Sequence, residues 1–428
     1  MTSFSTALDP AELPTTVRRM AGIVGWKTWQ KRIEGFKSQL HSNPLWRDFL
    51  LERYGLELAF ANVHRHLRRT GRCPWPPETA EHYRLYSFLA AAVRVHATLS
   101  RDGQARLAGA IRTGLEKDFG LGPVAFEMKV VAHLMSRGFK VELHDLGLGG
   151  GYDFLAISGP TRIEVECKHI SADIGRQIHR PELYDLGGVL HPVMTHAVDR
   201  GNDGWLVQVT LPGKLTRNKD QQQALVSCIE SVRSGKAGDI DDNVCTVSAQ
   251  LFSLQRSPFS RERCYQLTMP LIEDYLKQAF DIENSHVLAH WRPGHGAVLV
   301  VFKSMQPDKV LGEIFKHLKA DAKKQFSGNL PAFLCVHLAD LTEAQLRDLA
   351  DAERAGTVTG LQRLASIILH RRPHVHSISV MADGQVRITQ ERLQDCVETC
   401  VQETGPCYVF RNRNHLLAQD SLLDRVFV

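Results

Sequence analysis

The segment GYDFLAISGPTRIEVECK (residues 151–168) decides the fold that we expect for this chain. Two short apolar runs, at residues 152–157 and 161–169, are separated by Ser158-Gly159-Pro160 and preceded by a glycine-rich stretch at residues 147–151. Short apolar runs bounded by glycine, proline and serine are typical of β-strands joined by tight turns. The segment therefore predicts two strands that form a hairpin.

Three charged side chains share one face of the second predicted strand. Because side chains alternate along a strand, Glu164, Glu166 and Lys168 point to one side and apolar side chains point to the other. Buried charges are costly unless they are paired or bind a metal ion. The hairpin brings Asp153, at the start of the first strand, close to Glu166. Two such carboxylates repel each other unless a cation lies between them, and their hard oxygen atoms favour Mg²⁺ or Mn²⁺.

The segments around the hairpin predict further helices and strands. A helix is expected from Pro123, a residue that first helical turns tolerate, to near Gly138. The predicted α/β order is helix, three strands, helix and strand, and the elements after the first helix cover residues 139–143, 152–157, 161–169, 171–190 and 205–211. We therefore expect one core over residues 119–215.

This order, together with Asp153 and the sequence Glu166-Cys167-Lys168, resembles the D…ExK motif and core of the PD-(D/E)xK nuclease superfamily. Tyr152 stands where the superfamily's name places proline, a common departure. The resemblance implies a restriction-endonuclease-like core with a Mg²⁺- or Mn²⁺-dependent nuclease site. It implies that Asp153, Glu166 and the backbone carbonyl of Cys167 bind the metal ion, and that Lys168 positions water or stabilises charge on the phosphate.

The resemblance also assigns roles to residues of the two flanking helices. Glu127, in the first helix, falls where the superfamily often supplies an acidic residue to the site, although a rotation of the helix by one residue would place it in solvent instead. Gln177 resembles a glutamine in the helix after the motif, although the tyrosine that accompanies it in some branches is not at the usual spacing. Independently of the resemblance, Arg176 and Arg180 are basic residues that follow the second strand of the hairpin, and this position predicts that they contact the nucleic-acid backbone.

The [DE]xK pattern alone carries little information, because residues 127–129 and 321–323 also match it on predicted helices. Only the match at Glu166 lies in a strand that follows a strand bearing an aspartate. Asp153 as a turn residue, and Glu166 with Lys168 as an exposed ion pair, stay open as alternatives.

Three other polar residues near the motif have less specific interpretations. Glu164 is either a second carboxylate of the site or only the edge of its strand. His169 and His179 lie close by in the sequence, but the D…ExK chemistry requires no histidine. Single histidines of this kind are more often structural or solvated than catalytic.

The remainder of the chain predicts a helical region before the core and an α/β region after it. Aromatic residues recur at helical spacing within residues 1–118. Within residues 216–428, apolar runs at 297–302 and 332–338 flank an amphipathic helix at 309–326, which predicts a βαβ unit with parallel strands. This C-terminal region is either a separate domain or an extension of the nuclease sheet.

Composition limits the classes of protein to which the chain can belong. Its 428 residues, 43% of them hydrophobic, predict two or three domains with buried cores. A net charge of +5 permits nucleic-acid binding without demanding it, so local clusters such as residues 64–69 matter more. Nine cysteines without a CxxC pair argue against a disulfide framework. No signal peptide or membrane-spanning run is recognisable, so a cytoplasmic protein is expected.

These observations predict a Mg²⁺-dependent nuclease that hydrolyses phosphodiester bonds, with DNA as the expected substrate. The resemblance implies a setting in restriction, phage defence or repair. The alternative is a catalytically silent nuclease-like fold that serves as a nucleic-acid-binding or scaffold protein. Other enzyme classes rank lower, because the chain contains no GxSxG, HExxH or Walker A motif. The sequence leaves open RNA as a substrate, a homo-oligomer, and a partner protein.

Overall fold

The computed structural model describes residues 8–148, 151–171, 173–200, 203–233, 239–241, 244–260, 267–283, 286–293, 295–341, 343–352, 356–393, 396–404 and 407–415. The chain divides into two compact units. Unit 1 comprises Met1–Gly35, Leu50–Ala172 and Leu311–Val428, and unit 2 comprises Phe36–Phe49 and Asp173–Val310. Within the described ranges, no helix has the length and apolar character needed to cross a membrane.

The secondary structure is mixed α/β and follows this order along the chain. The first half contains α1 (Leu13–Val24), α2 (Trp26–Ser42), α3 (Trp46–Arg53), α4 (Gly55–Thr70), α5 (Ala80–Thr98), α6 (Arg101–Glu116), α7 (Gly122–Ser136), β1 (Lys140–Leu143), α8 (His144–Leu148), β2 (Phe154–Ser158), β3 (Thr161–Ser171), α9 (Arg180–Arg200) and β4 (Gly204–Leu211). The second half contains α10 (Lys219–Arg233), β5 (Asp239–Asp241), β6 (Thr246–Phe252), α11 (Met269–Phe280), β7 (His286–Arg292), β8 (Gly296–Ser304), α12 (Val310–Lys324), β9 (Ala332–Ala339), α13 (Glu343–Asp351), α14 (Gly360–Arg371), β10 (Val375–Met381), β11 (Gln385–Leu393), β12 (Cys396–Thr404) and β13 (Cys407–Arg411).

The helical layer of unit 1 is organised around α5. This helix contacts α1, α4, α6 and α7, and its segment Leu85–Val95 is almost entirely buried because both of its sides meet other helices. Local capping defines where helices begin: the side chain of Thr79 accepts a hydrogen bond from the backbone N–H of His82 at the start of α5. The predicted helical region before the core is thus present from Leu13 onwards.

The sheet of unit 1 has the strand order β1-β2-β3-β9-β10-β13. Strands β1, β2 and β3 are antiparallel neighbours, whereas β3, β9 and β10 are parallel to one another. The predicted hairpin is confirmed, with Phe154 opposite Val165. Helix α7 packs on one face of this sheet, where Phe126, Val165 and Phe333 share one hydrophobic core.

Two predicted strands pair differently from the expectation. The strand at residues 205–211 exists as β4, but it lies in unit 2 within a second sheet of order β5-β6-β4-β8-β7. There it has β6 on one side and β8 on the other, so both of its edges are hydrogen-bonded. The predicted parallel pairing of residues 297–302 with 332–338 is wrong, because β8 and β9 belong to different sheets.

The observed units therefore do not follow the predicted boundaries at 119–215 and 216–428. The helix and strand that follow β3 within its own unit are α12 and β9, rather than α9 and β4. The sequence of unit 2 from Asp173 to Val310 intervenes between β3 and α12. Its sheet carries its own core, with α9 and α10 packed on β4 and β8 through a shared cluster of buried aliphatic residues.

Candidate active site

Asp153 is held in place by the backbone on three sides. Its N–H donates to the carbonyl of Val165 (3.1 Å), the residue that is opposite Phe154 at the end of the β2–β3 ladder. Its carbonyl accepts hydrogen bonds from the N–H groups of His144 (2.8 Å) and Asp145 (3.2 Å) at the start of α8. Its Oδ2 atom accepts a hydrogen bond from the N–H of Cys167 (2.6 Å). The side chain of Asp153 is thereby directed at the segment that carries Glu166 and Lys168.

Glu166 and Lys168 form an ion pair on one face of β3. Lys168 Nζ lies 2.7 Å from Oε1 of Glu166 and 3.8 Å from Oδ2 of Asp321 on α12. Glu166 is buried, and its Oε2 atom accepts no hydrogen bond from any described residue. A buried carboxylate oxygen without a partner is destabilising unless something else satisfies it.

Glu127, on α7, joins Asp153 and Glu166 in one electrostatic cluster. The pKa of each of the three carboxyl groups is raised to about 7, and burial is the largest cause in every case. Mutual repulsion adds to the rise: Asp145 and Glu166 act on Glu127, Glu127 acts on Asp153, and Asp153 acts on Glu166. Carboxyl groups whose pKa is raised close to neutral pH in this way are typical of functional sites.

Lys168 offsets only part of this negative charge. Burial lowers the pKa of its ammonium group, but the hydrogen bond and charge of Glu166, with the charges of Asp321 and Asp153, more than compensate and raise it. The ammonium group therefore stays charged at neutral pH. One ammonium group faces several carboxyl groups, so the site retains an excess of negative charge that a divalent cation is suited to balance.

The donor atoms fit a hard divalent cation. Glu166 Oε2 is the buried, unsatisfied oxygen, and the other Asp153 oxygen and the Glu127 carboxyl group belong to the same cluster. The N–H of Cys167 points to the Asp153 side of β3. Because the carbonyl of a strand residue points to the same side as its N–H, the carbonyl of Cys167 also points to the Asp153 side. The thiol of Cys167 is instead hydrogen-bonded to Cys335, and burial raises its pKa well above the ordinary range.

The side chains are not already arranged as a metal-binding group. Over the described ranges, no set of three or more His, Cys, Asp and Glu residues has that arrangement. The hydrogen bonds explain this geometry, because Oδ2 of Asp153 is engaged by Cys167 and Oε1 of Glu166 is engaged by Lys168. A cation would recruit the remaining oxygens, and it would do so most readily when the carboxyl groups are ionised.

The structure separates Glu164 from the cluster. Both of its carboxylate oxygens accept hydrogen bonds from Ser327, one from the backbone N–H (2.9 Å) and one from the hydroxyl group. Glu164 therefore anchors the loop after α12 to β3. This contact favours a structural role, although Glu164 is buried within β3 between β2 and β9 and does not lie at the edge of the strand.

His169 lies on the opposite face of β3 and takes part in a chain of polar contacts. Its Nδ1 atom is 2.9 Å from Nδ1 of His337, the residue opposite it on β9, and Nε2 of His337 is 3.2 Å from Oδ1 of Asp383. Burial, followed by the charge of His337, lowers the pKa of His169 to about 3, so its ring is neutral at physiological pH. His179 belongs to unit 2, where its Nδ1 atom lies 3.8 Å from Oε2 of Glu182.

A cavity of about 570 Å³ in unit 1 lies beside this histidine chain and not at the carboxylate cluster. It is lined by residues of α5 and α7 and by the ends of β3 and β9, including His169, His337, Asp340 and Asp383. Its lining does not include the three clustered carboxyl residues or Lys168. We assign the candidate active site to the cluster, because the cluster contains the excess charge and the unsatisfied oxygen.

The predicted nucleic-acid contacts lie in unit 2. Gln177 donates from its backbone N–H to Asp308 (2.8 Å) and from its side chain to the carbonyl of Pro307 (3.3 Å). Arg180 forms an ion pair with Asp173 (3.2 Å). Arg176 acts electrostatically on His286 in the same unit. These residues have structural partners within unit 2, and their contact with nucleic acid stays a prediction.

Two members of the site were missed by sequence reasoning. Asp145 and Asp321 act on the cluster from α8 and α12, and neither residue has a recognisable spacing from Glu166 in the sequence. Comparison of the chain with models of protein families, with curated proteins and with solved structures found no match.

Proposed function

We propose that this chain is a metal-dependent nuclease of the PD-(D/E)xK type that hydrolyses phosphodiester bonds in DNA. The observation that carries this proposal is the cluster of Asp153, directly before β2, with Glu166 and Lys168 on the antiparallel neighbour β3 and Glu127 on the preceding helix. Buried carboxylates beside a single lysine suit the binding of Mg²⁺ or Mn²⁺ and the stabilisation of charge on a phosphate.

The order of elements in unit 1 supports the same proposal. Helix α7, strands β1, β2 and β3, helix α12 and strand β9 follow the order helix, three strands, helix and strand. Strand β9 pairs directly with β3, which bears the motif. In this interpretation, the core of the nuclease is interrupted in sequence by unit 2, and the motif keeps its place beside the first helix.

Each residue of the cluster has its own role in the proposed reaction. Asp153, Glu166 and the carbonyl of Cys167 would hold the cation, which when bound stabilises charge on the phosphate and lowers the pKa of a coordinated water. Lys168, fixed by Glu166 and Asp321, is placed to orient the attacking water or the scissile phosphate. Glu127, whose pKa is raised to about 7, is suited to exchange a proton near neutral pH.

The test is cleavage of supercoiled plasmid, linear duplex, single-stranded DNA and RNA, with Mg²⁺, with Mn²⁺ and with EDTA. Glu166→Gln and Lys168→Met are expected to lower the rate by roughly 100-fold or more, because each removes a group that acts in the transition state. Glu164→Gln is the matched control, since it makes the same change on the same strand face outside the cluster, and its rate is expected to stay near that of the wild type.

Two outcomes would contradict the proposal. Cleavage that persists in EDTA, or that Glu166→Gln leaves unchanged while circular dichroism shows native folding, would remove the cluster from the chemistry. Wild-type protein that cuts none of the substrates and binds no Mn²⁺ would favour the alternative, a nuclease-like fold without catalysis.

A further inference from the structure

The outer side of α4 carries a concentrated positive charge. Arg65, Arg68 and Arg69 lie on this helix, and Arg72 follows Gly71, the C-cap residue of the helix; all four side chains are exposed. The spacing of three and four residues from Arg65 places Arg68 and Arg69 on the same side of the helix as Arg65. We call these four residues the arginine face.

Among the described residues, no acidic side chain forms an ion pair with the arginine face. Within the described part of the chain, none of the four arginines forms an ion pair. The sequence contains no Asp or Glu from residue 58 to residue 77. Helix surfaces that are only solvated usually mix acidic and basic residues at i,i+4 spacing, so an uncompensated stripe favours an external polyanion as its partner.

The surroundings of the arginine face add to its rigidity and charge. The rings of Trp26 and His64 are stacked with centroids 3.8 Å apart and an interplanar angle of 18°, which ties α2 to α4 one residue before Arg65. The charge of Arg18 on α1 acts on Cys73, the neighbour of Arg72. The positive charge therefore belongs to a packed surface and not to a single free helix.

We propose that the arginine face binds the sugar-phosphate backbone of the nucleic acid on which the site acts. This inference rests on the proposed nuclease function and names a second contact surface for its substrate. Guanidinium groups match phosphate oxygens in a bidentate geometry. Arg65 and Arg69 are one helical turn apart, roughly 6 Å along the axis. They can therefore engage phosphates along one strand without reading its bases.

An anionic membrane fits this surface less well. Helices that bind membrane surfaces insert an apolar face into the lipid. The apolar side of α4 is instead buried in the protein core through Phe60, Val63 and Leu67. None of the exposed large hydrophobic side chains found within the described ranges lies on α4.

Binding is measured with the Glu166→Gln protein in EDTA, by fluorescence anisotropy of a labelled short DNA duplex over a series of salt concentrations. The comparison adds Arg65→Gln, Arg68→Gln, Arg69→Gln and Arg72→Gln together to this protein. In the matched control protein, four other exposed cationic residues of unit 1 are replaced by Gln in the same background: Arg101, Arg112, Lys117 and Arg137.

Each lost phosphate contact is expected to reduce the slope of log Kobs against log salt by about 0.9, so loss of all four contacts reduces it by roughly 3 to 4. The control variant is expected to keep most of the slope. Equal slopes for the two variants overturn the inference. Loss of binding to vesicles of phosphatidylserine, with DNA binding retained, also overturns it and assigns the surface to a membrane.

A cleavage assay distinguishes failure of this inference from failure of the proposed function. With Glu166 restored and Mg²⁺ present, the arginine-face variant is expected to cut DNA with a higher KM and a similar kcat at low salt. If the wild type binds through the arginine face and cuts nothing, the nuclease proposal fails and the binding surface stands. If the variant binds and cuts as the wild type does, the binding surface fails and the nuclease proposal stands.

Discussion

The backbone N–H of Cys167 donates a 2.6 Å hydrogen bond to Oδ2 of Asp153. This contact joins the residue before β2 to the residue between Glu166 and Lys168, so the two halves of the motif are connected directly. It also directs the carbonyl of Cys167 to the Asp153 side of β3. The bond occupies one oxygen of Asp153 and leaves the other for a ligand.

The stability of the metal-free protein is expected to fall as pH rises. The pKa of Glu166 is raised from 4.5 to about 7 in the folded protein, and those of Glu127 and Asp153 are raised to about 7 as well. The folded state therefore binds more protons than the unfolded state over this window, and stability is lost as pH rises through it. The melting temperature in EDTA should decrease from about pH 5 to about pH 8.

Mg²⁺ should reverse this decrease at the upper end of the range, because it stabilises the ionised carboxylates. Glu166→Gln removes one of the titrating groups, so its melting temperature should depend less on pH than that of the wild type. A wild-type melting temperature that is constant or rises over the same range would contradict the assignment of the raised pKa values.

Binding of Mn²⁺ is expected to release protons. Carboxyl groups with a pKa of about 7 are partly protonated at neutral pH, and metal ligands must be ionised. Calorimetry at about pH 6.5 in buffers of different ionisation enthalpy should show release of roughly one proton per ion. Glu166→Gln should bind Mn²⁺ more weakly. A heat of binding that is the same in every buffer would show that these groups are not the ligands.

Glu164 is expected to matter for stability and not for metal binding. Its carboxylate is buried and accepts both hydrogen bonds from Ser327. Glu164→Ala leaves the N–H and hydroxyl groups of Ser327 without this acceptor, which should cost about 2 to 4 kcal/mol in the free energy of unfolding. Chemical denaturation measures this loss, and a Mn²⁺ titration of the folded variant provides the contrast. A large loss of Mn²⁺ affinity in a folded Glu164→Ala protein would place the residue in the site after all.

A side chain at Gly122, at the start of α7, is expected to destabilise the protein. A Cβ atom at this position would lie 2.5 Å from Cε1 and Nε2 of His169, so the helix or the ring must move. Gly122→Ala should cost roughly 1 to 3 kcal/mol. It should also weaken Mn²⁺ binding, because Glu127 lies on the same helix.

Gly109→Ala on α6 is the matched control for this substitution. A Cβ atom at Gly109 would have no neighbour within 4 Å, so the change should stabilise the protein by about 0.4 to 1 kcal/mol through the unfolded state. Denaturation curves for both variants test the pair. Equal stability of the two variants would show that the contact between Gly122 and His169 does not constrain α7.

Local sequence patterns were sufficient to predict the hairpin and the shared face of Glu164, Glu166 and Lys168. Alternation of side chains along β3 placed Glu164, Glu166 and Lys168 on one face, and the short turn at Gly159 paired β2 with β3. Those features depend on neighbouring residues and on a period of two. They could therefore be predicted without knowledge of the rest of the fold.

Local patterns could not show which distant strand lies beside β3. Strands β4 and β9 are both short apolar runs, and either run satisfies the pattern of a buried strand. For the same reason, the sequence did not predict that Asp145 and Asp321 lie near the carboxylate cluster, or that His337 lies beside His169. Each of these contacts joins segments that are far apart in the sequence, where neither the helical nor the strand period applies.

By itself, the sequence determined the β2–β3 hairpin, the inward faces of its two strands and the proximity of Asp153 to Glu166, because hydrogen bonding in a hairpin and side-chain alternation act over a few residues. Only the tertiary structure decided that β9 continues the sheet after unit 2, that Glu164 anchors a loop, and that α12 brings Asp321 to Lys168. These outcomes depend on which apolar surfaces cover each other when the whole chain packs, and that choice is made by the summed burial of distant segments.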